Sequence, residues 1–109
     1  MHALCPVNEI DTGTGREFPY RTATGIRFLL LFRQGDHLFA CLNACPHQGR
    51  ELNWGPDQFL FDPQGRLVCP HHGATFELTD GACVEGPCKG EALTPVEVEV
   101  REGVVYLAE

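Results

Sequence analysis

No stretch of this 109-residue chain approaches the ~20 consecutive apolar residues of a membrane span. The longest apolar run, Phe28 to Phe32, has the length of a strand. The N-terminus has no basic region followed by an apolar one and a small-residue cleavage site, so the expected location is the cytoplasm. Basic residues are scarce: Lys plus Arg number 8 against 15 Asp plus Glu, a formal charge of −7. That balance argues against nucleic-acid and anionic-membrane partners; it suits docking to a basic patch on a protein, or plain solubility. No window keeps a 3.6-residue period with a cap for ten residues, which predicts little or no helix. Internal repeats, linkers and low-complexity segments are also missing. The length fits one domain, 1–109, at a size where a bound metal centre adds useful stability.

What the chain does have is strand periodicity. Val96, Val98 and Val100 alternate with Glu97, Glu99 and Arg101, setting three valines on one face and the charges on the other. Glu102-Gly103 then turns the chain into Val104-Val105-Tyr106-Leu107, a predicted C-terminal hairpin. A second hairpin is expected from 25–33, the turn Gln34-Gly35-Asp36, and 37–42. A third is expected from 58–61, the turn Asp62-Pro63-Gln64-Gly65, and 66–69.

Two short motifs carry the chemistry. Cys45-Pro46-His47 and, beyond residues 48 to 68, Cys69-Pro70-His71-His72 form a C-x-H…C-x-x-H pair, each half following a predicted strand end. Two thiolates and two imidazoles on two loops are the ligand set in which two histidines replace two cysteines on one iron of a [2Fe–2S] cluster. The same four residues could hold structural zinc. Zinc sites, however, usually pair Cys with Cys and His with His, as C-x-x-C and H-x-x-x-H, and here each pair is mixed. Six cysteines in a reducing compartment are expected as ligands and free thiols rather than disulfides.

Cys45-Pro46-His47-Gln48-Gly49 and Cys69-Pro70-His71-His72-Gly73 resemble both cluster loops of Rieske-type ferredoxins. Leu52 and Gly55 after the first loop, Phe76, Asp80-Gly81 and then Gly86-Pro87 after the second fit the same pattern. The resemblance covers about residues 26 to 108, with the first twenty or so a weaker match. It implies an all-β fold: an antiparallel sandwich or barrel-like base built from the chain's two ends, with an inserted cluster-binding subdomain at about 41–76. It further implies one [2Fe–2S] cluster per chain, with Cys45 and Cys69 on the buried iron and His47 and His72 on the outer iron. The two histidines would be the electron exit.

Charge explains what this ligand set does. Two ferric ions, two sulfides and two thiolates cancel when both histidines are neutral, whereas four thiolates leave two negative charges. An electron enters the neutral group more easily, which lifts the potential to roughly −150 to +300 mV from about −400 mV. Hydrogen bonds to the sulfurs then set the value within that range. High-potential family members carry a serine two residues and a tyrosine four residues after the second ligand histidine. Ala74 and Phe76 stand there in this chain. Those members also join the loops by a disulfide at positions held here by Arg50 and His71. All four departures resemble the low-potential, oxygenase-associated ferredoxins.

The resemblance therefore implies a monomeric one-electron carrier between a reductase and a terminal oxygenase. The alternatives are a small Rieske subunit of a nitrite-reductase-like complex and a non-redox zinc-binding module. A Rieske oxygenase needs a further iron on two histidines and a carboxylate, and only His2, His37 and His71 remain; the chain is not expected to be an enzyme. Cys83 and Cys88 bracket Val84-Glu85-Gly86-Pro87 in a loop that the family lays over the cluster, Pro87 shielding it from water. They are expected as free thiols, a redox disulfide or second metal site being the alternatives. Cys5 and Cys41 read as core or strand residues. His71 is expected to be solvated near the docking face, and Trp54 to pack beneath the first loop or in the core.

Overall fold

A computed structural model describes residues 2–46, 51–55, 57–71 and 73–108, without the side chains of Tyr20 and Thr22. The described residues form ten strands: β1 (His2–Pro6), β2 (Thr14–Thr22), β3 (Gly25–Gln34), β4 (His37–Leu42), β5 (Leu60–Phe61), β6 (Leu67–Val68), β7 (Thr75–Phe76), β8 (Cys83–Glu85), β9 (Val98–Arg101) and β10 (Val104–Leu107). A 3-10 turn at Val7–Glu9 is the one helical element among them. All pairings between strands are antiparallel, and the fold class is all-β as expected. The strands make three sheets, ordered β1-β10-β9, β2-β3-β4 and β5-β6-β7-β8.

Within the apolar run Phe28 to Phe32, Leu29 to Phe32 are buried because β3 lies between two cores, while Phe28 at its start is 48% exposed. Leu30 and Phe32 point into one core with Phe39, Cys41, Leu67 and Phe76, while Leu31 points into another with Cys5, Ile10, Ala40 and Val105. Successive side chains of a strand face opposite ways, so a strand between two cores must be apolar at every position. β4 repeats the division, with Phe39 and Cys41 on one side and Ala40 on the other. Sheet β2-β3-β4 is thus the middle layer. Its outward neighbour through the larger core is sheet β5 to β8, which carries the second Cys motif.

The second hairpin matches its expected bounds to within a residue, with Gly35 at φ +61° in its turn. The third is shorter than expected, at Leu60–Phe61 and Leu67–Val68. The Asp62 carboxylate caps its turn by accepting the N–H groups of Gln64 and Arg66, each at 2.9 Å. In the C-terminal hairpin Val96 and Val98 pack on the smaller core, but Val100 is 49% exposed. β9 is an edge strand, and Val100 stays uncovered although it pairs with the fully buried Val105.

β2 carries no strand signal in its own composition, since Thr14–Thr22 contains Gly15 and Pro19 and no apolar alternation. It forms because it is an edge strand, where a proline's missing N–H costs no ladder bond. Gly15 sits opposite Phe32, whose ring occupies the space a Cβ would take, 2.5 Å away.

Candidate metal centre

The first motif follows β4. Asn43 N–H donates to Phe28 O at 3.0 Å, turning the chain out of the sheet, and Cys45 then returns to the larger core with only 3% exposure. The far end of this loop is held by the Asn43 side chain, whose Oδ1 accepts the Leu52 N–H at 2.7 Å. Its Nδ2 donates to Glu17 Oε2 at 2.5 Å and to Asn53 Oδ1 at 3.0 Å. Asp57 Oδ1 accepts the Glu17 N–H at 2.8 Å. One polar network therefore pins both ends of the loop to β2.

The second motif follows β6. Cys69 N–H donates to Ala74 O at 2.7 Å, and Gly73 N–H donates back to Cys69 O at 3.1 Å. These bonds close a tight loop between β6 and β7, leaving Cys69 2% exposed in the same core as Cys45. Across it lies the segment after β8. Gly86, at φ +96°, comes so close that a Cβ would stand 2.7 Å from the Ala74 Cα. Pro87 beside it is exposed, as is His71, which matches its expected solvation.

Cys45 and Cys69 thus reach one apolar core from two loops, among Leu52, Ala74 and Phe76. Histidines 47 and 72, and residues 48–50, lie outside the described residues. Two buried thiols that must ionise to bind metal suit an iron centre, because a cation compensates charges that an apolar core otherwise disfavours. No hydroxyl is supplied by the fully buried Ala74 and Phe76, and the hydroxyl of buried Thr75 donates instead to Gly73 O at 3.2 Å.

The other cysteines divide clearly. Cys5 in β1 and Cys41 in β4 are buried strand residues, as expected. Burial pushes the Cys41 thiol up to about 12. Among the described residues no two cysteines are joined by a disulfide. Yet the Cys88 thiol donates to Cys83 Sγ at 3.1 Å, and the Cys83 thiol donates to Glu85 O at 3.2 Å. Burial first, then bonding to Cys83 and the proximity of Cys83 and Cys45, pushes Cys88 up to about 12. Trp54 neither packs under the loop nor joins the core. It is 60% exposed and lines a groove with Glu17, Glu51, Asn53 and Gly55.

Comparison with known proteins agrees with this arrangement. Residues 1–102 match the family described as the Rieske [2Fe–2S] domain. The chain belongs to the Rieske [2Fe–2S] family. It is 31% identical over 106 residues to ferredoxin CarAc of Metapseudomonas resinovorans, covering 96% of this chain and 90% of that protein. Human apoptosis-inducing factor 3 is 29% identical over 105 residues, and there this chain spans 16% of the relative. Among solved structures, it matches a chain in the complex of reduced oxygenase and oxidised ferredoxin in carbazole 1,9a-dioxygenase. That match has a TM-score of 0.76 and 31% identity over 97% of this chain and 99% of the other. The ferredoxin of carbazole 1,9a-dioxygenase from Nocardioides aromaticivorans IC177 shares the fold at a TM-score of 0.73 and 20% identity, over 99% and 95% of the two chains. Membership assigns the chain one [2Fe–2S] cluster and the role of a Rieske electron carrier rather than a catalyst. Among the described residues no helix is long and apolar enough to cross a membrane.

Proposed function

We propose that this chain carries single electrons from a reductase to a terminal oxygenase, as a cytoplasmic monomer, with Cys45, His47, Cys69 and His72 as the cluster ligands. The observation that carries this reading is the burial of Cys45 and Cys69 in one core, at the ends of two loops built on β4 and β6. The near full-length likeness to a ferredoxin chain solved with its oxygenase supports the partner. The acidic balance, −7 over the chain, suits a basic docking patch. The cluster-binding subdomain is taken as about 41–76.

When bound, the [2Fe–2S] group accepts and releases one electron. The chain's own residues do the rest. Cys45 and Cys69 supply two thiolates, and the core residues Leu52, Ala74 and Phe76 keep water away from them. The Asn43 network ties the first loop to β2, and the Cys69–Ala74 bond closes the second loop. Ala74 and Phe76 withhold the hydroxyl donors that would draw the potential upward.

Purified protein should be red-brown and contain two iron and two acid-labile sulfide per chain, and its reduced form should pass electrons to a ferredoxin-dependent Rieske oxygenase. Stoichiometric zinc without sulfide would overturn the reading. Cys45→Ser and Cys69→Ser should lose the cluster and much of the fold, since metal-binding energy is also folding energy. His72→Cys should retain a cluster at lower potential, because a thiolate adds negative charge; an unchanged potential would remove His72 from the ligand set.

A further inference from the structure

Cys83 and Cys88 play no part in holding the cluster, yet the fold brings their sulfurs to 3.1 Å within a buried hydrogen bond. The segment carrying them is closed on itself. Cys83 N–H donates to Glu91 O and Glu91 N–H to Cys88 O, each at 2.9 Å, while Lys89 N–H donates to Gly86 O at 3.2 Å. Cys83 is anchored in β8 opposite Phe76. Cys88 rides on a turn whose Glu85, Gly86, Pro87, Lys89 and Gly90 are exposed, with Gly86 and Gly90 both at φ +96°. A disulfide needs the sulfurs at about 2.05 Å, and such a turn can close the remaining distance without disturbing the sheet.

We propose that Cys83 and Cys88 form a redox-modification site that closes to an intramolecular disulfide under a low-molecular-weight disulfide and reopens under a dithiol. One protein thiolate attacks a sulfur of the small disulfide, releasing one small thiol and leaving a mixed disulfide on the chain. The other protein thiol then loses its proton to solvent and attacks the protein sulfur of that mixed disulfide, expelling the second small thiol. Two protein thiols are oxidised by two electrons while one small disulfide is reduced to two thiols. Both thiols are buried, Cys83 at 5% exposure being the more accessible against 1% for Cys88. Cys88 is already positioned for the second attack, so the mixed adduct is short-lived. The bond closes only a short loop and so removes little chain entropy, which suits a reversible bond rather than a structural staple.

The test treats cluster-loaded protein anaerobically with oxidised glutathione, alkylates remaining thiols with iodoacetamide in denaturant, and maps the peptides. The expected product lacks two hydrogens, carries no adduct, and links Cys83 to Cys88, with cluster absorbance retained and dithiothreitol restoring both thiols. Cys83→Ser, which leaves all four ligands in place, should instead accumulate a glutathione adduct or stay unmodified. Full alkylation of both cysteines in the treated wild type, a lasting glutathione adduct on it, or a bond that involves Cys45 or Cys69 would each overturn the proposal.

Discussion

Asn43 and Leu52 face each other across the mouth of the first ligand loop, and one hydrogen bond of 2.7 Å from the Leu52 N–H to Asn43 Oδ1 holds it shut. Leu52 is fully buried, and removing Asn43 takes away the protein partner of its N–H. Asn43→Ala should therefore destabilise the cluster-loaded chain by about 1–3 kcal/mol in urea unfolding, the cost of an orphaned buried donor. Asn43→Asp keeps the acceptor but sets a second carboxylate against Glu17, which Asn43 Nδ2 now contacts at 2.5 Å. Adding Glu17→Gln should recover part of that loss. A double variant no more stable than Asn43→Asp alone would show that the Glu17 contact contributes nothing.

Gly86 tests the wall on the other side. Its φ of +96° disfavours any side chain, and the atoms a Cβ would strike are the Ala74 Cα at 2.7 Å and Ala74 N at 3.1 Å, both backbone. Neither can swing aside. Gly86→Ala should push the segment off the second ligand loop at a cost of about 1–3 kcal/mol or more. The cluster should then bleach faster in the presence of an iron chelator. Bleaching at the wild-type rate would mean that this contact does not shield the centre.

Ala74 and Phe76, both fully buried, border Cys69 in the core. Ala74→Ser with Phe76→Tyr should place hydroxyls where a sulfur is the available acceptor, withdrawing electron density and raising the midpoint potential. Voltammetry on the double variant and the parent would show the rise. A potential that stays put would mean that hydroxyls at 74 and 76 do not reach the sulfurs.

Local signals were legible in the sequence and long-range ones were not. The turn at Gln34-Gly35-Asp36 and the apolar run of β3 located a hairpin to within a residue, because turn chemistry and periodicity act over a few positions. The spacing of Cys45 and Cys69 after strand ends was readable for the same reason. β2 was hidden, since its pairing with β3 rather than its own composition makes it a strand. The Glu17–Asn43–Asn53 network was hidden too, because its members lie up to 36 positions apart. Trp54 departs from expectation because a large aromatic near a motif suggests packing, whereas here it is 60% exposed. The spacing of Cys83 and Cys88 was visible as a pair of thiols, but their contact depends on the backbone bonds of Cys83 and Cys88 to Glu91.

Cys41 should make the protein sensitive to alkali. Its thiol is fully buried in β4, where the backbone pairs with Leu30 and bridges to Pro95. Burial raises it from 9.0 to about 12 in the folded chain. The raised value means that the folded state holds a proton which the unfolded chain has released, so the stabilisation is complete below pH 9.0 and is lost as pH rises toward about 12. Within that window the loss approaches about 1.4 kcal/mol per pH unit for this one group. Cys41→Ala removes the term. The variant should be less stable than the parent at neutral pH, from the small cavity left beside Leu30, and the gap should narrow as pH rises above 9.0. Urea midpoints of both proteins, measured from neutral pH upward while each retains its colour, provide the comparison. A gap that stays constant across the window would show that Cys41 does not hold its proton in the folded state.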